Sequence, residues 1–215
     1  GSMITGQFNG EIYSKQRWNQ KVLNSTDEDS FIDFFADEII ATNEPINSLN
    51  LSKVYFIVSN DTASASELVI NALSAYIDVQ IIGETTVGKQ VGSITIYDSD
   101  NLRRGGDNLN EEHRYAMQPL VLEIVNKNDE NDIDGYTPVT DLPGLELSEN
   151  FGNLGVLGEK SDPLLNATIN LITTGSKSSV QKKSSAIYQK SIYHSKLANP
   201  MGNNMYVDFD MLENK

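Results

Sequence analysis

The sequence predicts a mixed α/β fold built around a parallel βαβ unit over residues 53–83. Three observations lead there. Val54-Tyr55-Phe56-Ile57-Val58 and Val79-Gln80-Ile81-Ile82 are short apolar runs rich in β-branched and aromatic residues. Such runs suit strands buried on both faces of a parallel sheet. Between them, Val69, Ala72, Leu73 and Tyr76 recur at helical spacing, which predicts a helix over 64–77 with one buried face. Strand, helix and strand in about 30 residues make a βαβ unit, with parallel strands and a right-handed crossover.

The other elements follow in chain order. Residues 4–52 mix turn residues with short β-compatible pieces. In SFIDFFADEIIA, Phe31, Phe34, Phe35 and Ile39 fall at helical spacing, which predicts a short amphipathic helix over 28–41. Residues 90–98 alternate as in a β-ribbon, with Ile94 and Ile96 on one face. Residues 99–113 are polar and turn at Gly105-Gly106. Tyr115 to Val125 is strand-like, and Pro119 within it predicts an edge or a bend. Asp162 to Thr174 reads as a helix, with Asp and Pro at its start and Gly175 at its end. The expected organisation is an N-terminal part (1–52) with one short helix, a core (53–175), and a polar C-terminal tail (176–215). Gly1-Ser2 reads as a remnant of cloning, so the natural N-terminus is expected to lie upstream.

Charge and composition exclude several classes of function. The 215 residues carry a net charge of −14, which argues against a nucleic-acid surface, since phosphate contacts need clustered Lys and Arg. There is no cysteine, so thiolate catalysis, disulfides and Cys-zinc sites are ruled out. The acidic loop NKNDENDIDG lacks the spacing of an EF-hand and reads as a solvated loop, so no metal is expected. No cofactor motif is complete either. Gly83-Glu84-Thr85-Thr86-Val87-Gly88-Lys89 nearly matches a phosphate-binding loop. However, Gln90 stands where the magnesium-binding hydroxyl belongs, and the following segment reads as strand rather than helix.

The chemistry with most support lies at the ends of the two parallel strands. Both end on the same sheet edge, about 4.8 Å apart, where open α/β sheets place their ligands. Ser64 follows the first strand and Lys89 the second. A serine hydroxyl needs a base. His113 lies beyond a polar loop and His194 in the tail, so neither is well placed. A lysine serves if burial lowers its pKa. Gly88 lets the loop turn Lys89 back towards Ser64. Ser64 also stands at a helix N-terminus, where the N–H of Ala65 can face an oxyanion. Taken alone, Ser64-x-x-Glu67 is a capping box, and most such serines only cap their helix.

These residues resemble a known family. Thr62-Ala63-Ser64-Ala65-Ser66-Glu67, followed by Gly83-Glu84-Thr85-Thr86-Val87-Gly88-Lys89, is similar to the paired motifs of the C-terminal processing (tail-specific) peptidases. These are serine endopeptidases with a Ser/Lys dyad. Gly135-Tyr136-Thr137-Pro138 and Leu154-Gly155-Val156-Leu157-Gly158 resemble the family's closing segments. The resemblance implies Ser64 as nucleophile, Lys89 as base and Ala65 as an oxyanion-hole donor, with no cofactor. It also implies an α/β spiral sheet of the ClpP/crotonase type, flanked by helices, and a polypeptide substrate. A bacterial envelope location, periplasmic or outer-membrane, follows from the same resemblance. Some members place a glutamine four residues after the lysine to orient it. Ser93 stands there in this chain, so the supporting group is expected to be Ser93, another residue such as Glu67, or absent. The family's earlier D-L-R-x-N-x-G-G turn, which completes the oxyanion hole, is absent from residues 1–52. The expectation is thus a fold incomplete on its N-terminal side, weak or absent activity in this chain alone, and an exposed sheet edge that favours self-association. The alternative reading is a non-catalytic peptide-binding or scaffold module that keeps the peptidase fold.

Overall fold

The computed structural model describes residues 1–25 and 27–175. The expected tail, 176–215, lies outside the described residues. β1 (Ile12–Trp18) leads into α1 (Gln20–Leu23), whose first N–H groups are capped by the Asn19 side chain. β2 (Ile32–Phe34), β3 (Glu38–Ile39) and β4 (Glu44–Pro45) follow. Next come β5 (Lys53–Val58), α2 (Ala65–Ser74) and β6 (Asp78–Gly83). β7 (Val91–Ser93), β8 (Ile96–Tyr97), β9 (Ala116–Met117), β10 (Leu120–Val125) and β11 (Gly144–Glu146) precede the last helix, α3 (Pro163–Thr174).

The βαβ unit is present. β5 and β6 run parallel, in register from Lys53 opposite Asp78 to Val58 opposite Gly83. β11 joins the far side of β6, also parallel, so the strand order is β11-β6-β5. β6 is the middle strand, and its Val79, Ile81 and Ile82 are buried. Adjacent residues on a strand face opposite ways, and Ile81 and Ile82 do so here. Ile81 packs with Val58, Ile70, Leu73 and Val79 under α2, whereas Ile82 packs with Leu164 and Leu171 of α3. Helices therefore cover both faces of this small sheet.

A second sheet is antiparallel, in the order β2-β1-β10-β7. Its core holds Trp18, Phe31, Leu122 and Ile124, with Leu68 of α2 packed against them. α2 thus lies between the two sheets.

Two expectations are corrected. β5 is not buried on both faces. It is the edge of its sheet among the described residues, and Ile57 is 44% exposed. The expected helix over 28–41 is a single 3-10 turn at Glu28–Phe31, followed by β2 and β3. Strand pairing outweighs the helical spacing there. Ile32 and Asp33 pair with Lys15 and Ser14 of β1, and the Ser14 hydroxyl donates to the Asp33 carboxylate at 2.9 Å. Phe31 then packs on Trp18, while Phe35 joins Phe8, Tyr13 and Tyr76 in the other cluster. One helical face cannot serve two separate clusters. The expected strand over 115–125 is split into β9 and β10, with Pro119 just before the first residue of β10. α3 starts and ends as its sequence predicts. The Asp162 carboxylate accepts from the N–H groups of Leu164 and Leu165, and Gly175 closes the helix in the left-handed region.

Candidate active site

Ser64 forms the turn between β5 and α2. Its backbone has φ +57° and ψ −116°, a region that residues with a Cβ rarely occupy. Holding a serine there costs about 1–3 kcal/mol. A strained serine on a strand-to-helix turn has the geometry of a nucleophile elbow, which lifts the hydroxyl clear of the sheet. Ala65 is the first residue of α2, so its N–H has no partner within the helix. The positive end of the helix dipole lies at the same place.

Lys89 lies in the loop that leaves β6, and it is half-buried. Burial pushes its ammonium below the ordinary lysine value of 10.5. The loop is tied to the serine turn in two ways. The Val87 N–H donates to the Thr62 carbonyl at 2.9 Å. The stronger tie is Glu67, one turn into α2 and fully buried. One of its carboxylate oxygens accepts from the Ser64 N–H at 3.0 Å and from the Lys89 N–H at 2.8 Å. The other accepts from the Thr86 hydroxyl at 2.6 Å and from the Gly88 N–H at 2.7 Å. Four donors therefore converge on one buried carboxylate, and a single oxygen joins the backbones of Ser64 and Lys89. Glu67 thus holds the main chain at Lys89.

The lysine loop is also clamped from the far side. Gly88 (φ +79°) and Gly135 (φ +85°) lie back to back. A Cβ on Gly88 would stand 2.2 Å from the Ile133 carbonyl oxygen, and one on Gly135 would stand 2.1 Å from that of Thr86. Tyr136 donates its N–H to the Thr86 hydroxyl at 2.8 Å and accepts the Thr86 N–H at 3.2 Å.

The remaining candidates are placed as follows. Ser93 is buried in β7, and Gln118 Nε2 donates to its hydroxyl at 3.2 Å. His113 is engaged elsewhere. Its Nε2 lies 3.2 Å from the Asp98 carboxylate and its Nδ1 accepts the Tyr115 N–H. His194 lies outside the described residues. Beyond Lys89 the chain enters β7 rather than a helix, so the loop is not of the phosphate-binding kind. Sequence reasoning missed Asn71, Thr86, Gln90 and Tyr136. Thr86 and Tyr136 stand inside motifs that the sequence shows, and Asn71 stands four residues after Glu67 on the same helical face, but no pattern in the sequence joins them to Gln90.

Residues 7–103 match the model of peptidase family S41. The matched stretch includes both Ser64 and Lys89. Among solved structures, the chain is similar to a Bacteroides fragilis protein assigned as an S41 protease. The TM-score is 0.62 and the identity 23%, over 81% of this chain and 40% of that one. At that identity the likeness concerns the fold: the sheets and helices here are arranged as in an S41 protease. A second similarity is to the photosystem II D1 C-terminal processing protease, with TM-score 0.40 and 19% identity over 68% of this chain and 29% of that one. This chain spans about 40% of the length of the B. fragilis S41 protein. No curated protein matches the sequence.

Proposed function

We propose that this chain carries the nucleophile and base of a serine endopeptidase of the S41 kind. In this reading Ser64 attacks a peptide carbonyl while neutral Lys89 takes its proton. Lys89 then returns the proton to the leaving amine, and water hydrolyses the acyl-serine with Lys89 again as base. The Ala65 N–H faces the oxyanion of each tetrahedral intermediate. Ser93 and Glu67 support the lysine, Ser93 from β7 and Glu67 through the loop backbone. The substrate is an extended or C-terminal polypeptide segment, and the sheet belongs to a ClpP/crotonase-type spiral in a cell-envelope protease.

One observation carries this reading. A strained serine and a desolvated lysine are held through their backbones by the same oxygen of one buried carboxylate. An ordinary helix cap needs neither the strain nor a lysine loop fixed to it. In this reading turnover by this chain alone is weak or absent, because Ala65 supplies one oxyanion donor and residues 1–52 do not contain the family's motif for the second.

The test is cleavage of an unfolded, unlabelled polypeptide, followed by mass spectrometry over long incubations. Any cleavage is expected to be slow and to disappear in both Ser64→Ala and Lys89→Ala, with Ser64 taking a fluorophosphonate at alkaline pH. Polypeptide binding with no fluorophosphonate adduct on Ser64 at alkaline pH, or cleavage that survives Ser64→Ala, would overturn the proposal. The first of these outcomes would favour the scaffold alternative.

A further inference from the structure

Five of the nine buried polar side chains among the described residues crowd around the lysine loop: Glu67, Asn71, Thr86, Gln90 and Asn126. The other four are Thr5, Ser14, Ser93 and Thr168. Buried polar groups are costly unless every one is paired, so such a concentration needs a reason.

The pairing has a definite shape. Gln90, next to Lys89, is 1% exposed. Its carbonyl oxygen accepts from Asn71 Nδ2 at 2.8 Å, and its Nε2 donates to the Tyr136 hydroxyl at 3.0 Å. Asn71 lies on α2, four residues beyond Glu67. Its own carbonyl oxygen accepts from Asn126 Nδ2 at 2.9 Å, and its Nδ2 also reaches the Glu130 carbonyl at 2.9 Å. Tyr136 grips the loop before Lys89 through Thr86 and after it through Gln90. The helix that begins at Ser64 therefore holds the chain on both sides of Lys89. Glu67 holds residues 86, 88 and 89, and Asn71 holds residue 90.

We propose that Asn71, Gln90 and Tyr136 are positioning residues that set where Lys89 stands relative to Ser64, by locking the residue after the lysine to the helix that carries the serine. None of the three is a catalytic residue. Their role rests on the Ser/Lys reading above. The packing alone does not require this chemistry, since an apolar side chain at 90 would fill the same volume without needing two partners. The amide at position 90 instead takes one bond from α2 and gives one to Tyr136, so it fixes distance and direction together. Burial pushes the Tyr136 phenol up to about 12, so it remains a neutral, constant partner across the working pH range.

The experiment uses lysine labelled with carbon-13 at Cε and follows the Lys89 signal by NMR through a pH titration. The wild-type chain is compared with Tyr136→Phe and Gln90→Met, and the signal is assigned by its loss in Lys89→Ala. Phenylalanine keeps the ring in its core cluster and removes only the hydroxyl. Ser64 phosphonylation by a fluorophosphonate, in which Oγ displaces fluoride at phosphorus as the probe's counterpart of acylation, is measured on the same samples. In Tyr136→Phe the Lys89 midpoint is expected to rise towards 10.5, and the acylation rate to fall about tenfold, which corresponds to about 1.4 kcal/mol. Gln90→Met is expected to do the same or more, and Asn71→Leu to match it. An unchanged Lys89 midpoint in both Tyr136→Phe and Gln90→Met would overturn the positioning proposal, whatever the acylation result. Absence of acylation in the wild type would count against the Ser/Lys reading alone, because the Lys89 titration is read without turnover.

Discussion

Replacing Glu67 by glutamine probes the junction on which the site depends. The shape is kept, but one of two acceptor oxygens becomes an NH2 donor. If the new amide nitrogen faces Ser64 and Lys89, both of their N–H groups lose their acceptor. If it faces the other way, the Thr86 hydroxyl can turn and accept, but the Gly88 N–H is orphaned. The second arrangement is therefore preferred, and it leaves one buried donor unpaired at a cost of about 1–3 kcal/mol. The surviving bonds also fall from charge-assisted to neutral strength, a loss of about 1 kcal/mol each. These terms overlap, so a net loss of about 3–4 kcal/mol is expected. For a chain of this size that corresponds to a fall in Tm of about 6–16 °C. Urea denaturation followed by circular dichroism reads it directly, with Glu111→Gln, at an exposed position, as the control. A Glu67→Gln midpoint within experimental error of the control would refute the idea that this carboxylate ties the serine turn to the lysine loop.

Other predictions follow from the same geometry. Because burial lowers the Lys89 pKa, the rate of Ser64 acylation should rise with pH through an apparent midpoint below 10.5. A midpoint at or above 10.5 would exclude a desolvated base. The same shift has a stability sign. Folded Lys89 holds its proton less tightly than the unfolded chain does, so folding is penalised below the folded pKa and the penalty is relieved as pH rises towards 10.5. Lys89→Met should remove that slope from the denaturation midpoint against pH. Gly88→Ala should destabilise by several kcal/mol, because its Cβ would meet the Ile133 carbonyl at 2.2 Å. Gly158→Ala, also at positive φ but with nothing within 4 Å, should cost only about 1 kcal/mol; equal losses in thermal melts would contradict the close-packing account. The edge of β5, unpaired among the described residues, should support weak self-association. Sedimentation should show concentration dependence in the wild type and less in Ile57→Lys, and identical profiles would count against that edge.

Much of the fold is legible in the sequence, for physical reasons. β6 is a continuous apolar run because both its faces are covered, and α3 announces itself by Asp162, Pro163 and Gly175. The corrected elements are those whose fate depends on remote partners. The run around Phe31 and Phe35 has helical spacing, but pairing with β1 decides its conformation. The exposure of Ile57 depends on whether a neighbour lies beyond β5, which no local pattern encodes. In the site, Ser64 and Lys89 are visible because they sit at strand ends in recognisable motifs. Glu67 is visible as half of a capping box, although its hold on Thr86, Gly88 and Lys89 is not. Gln90 and Tyr136 stand 46 residues apart in sequence. Their contact arises only when the 133–136 segment packs on the lysine loop.

The central claim is tested most directly by mapping where a fluorophosphonate attaches at alkaline pH, using mass spectrometry of the digested chain. The account predicts a single adduct, on the peptide containing Ser64, that is lost when Lys89 is changed to alanine and retained in Lys160→Ala. An adduct on a different serine, or one on Ser64 that forms at the same rate without Lys89, would contradict it.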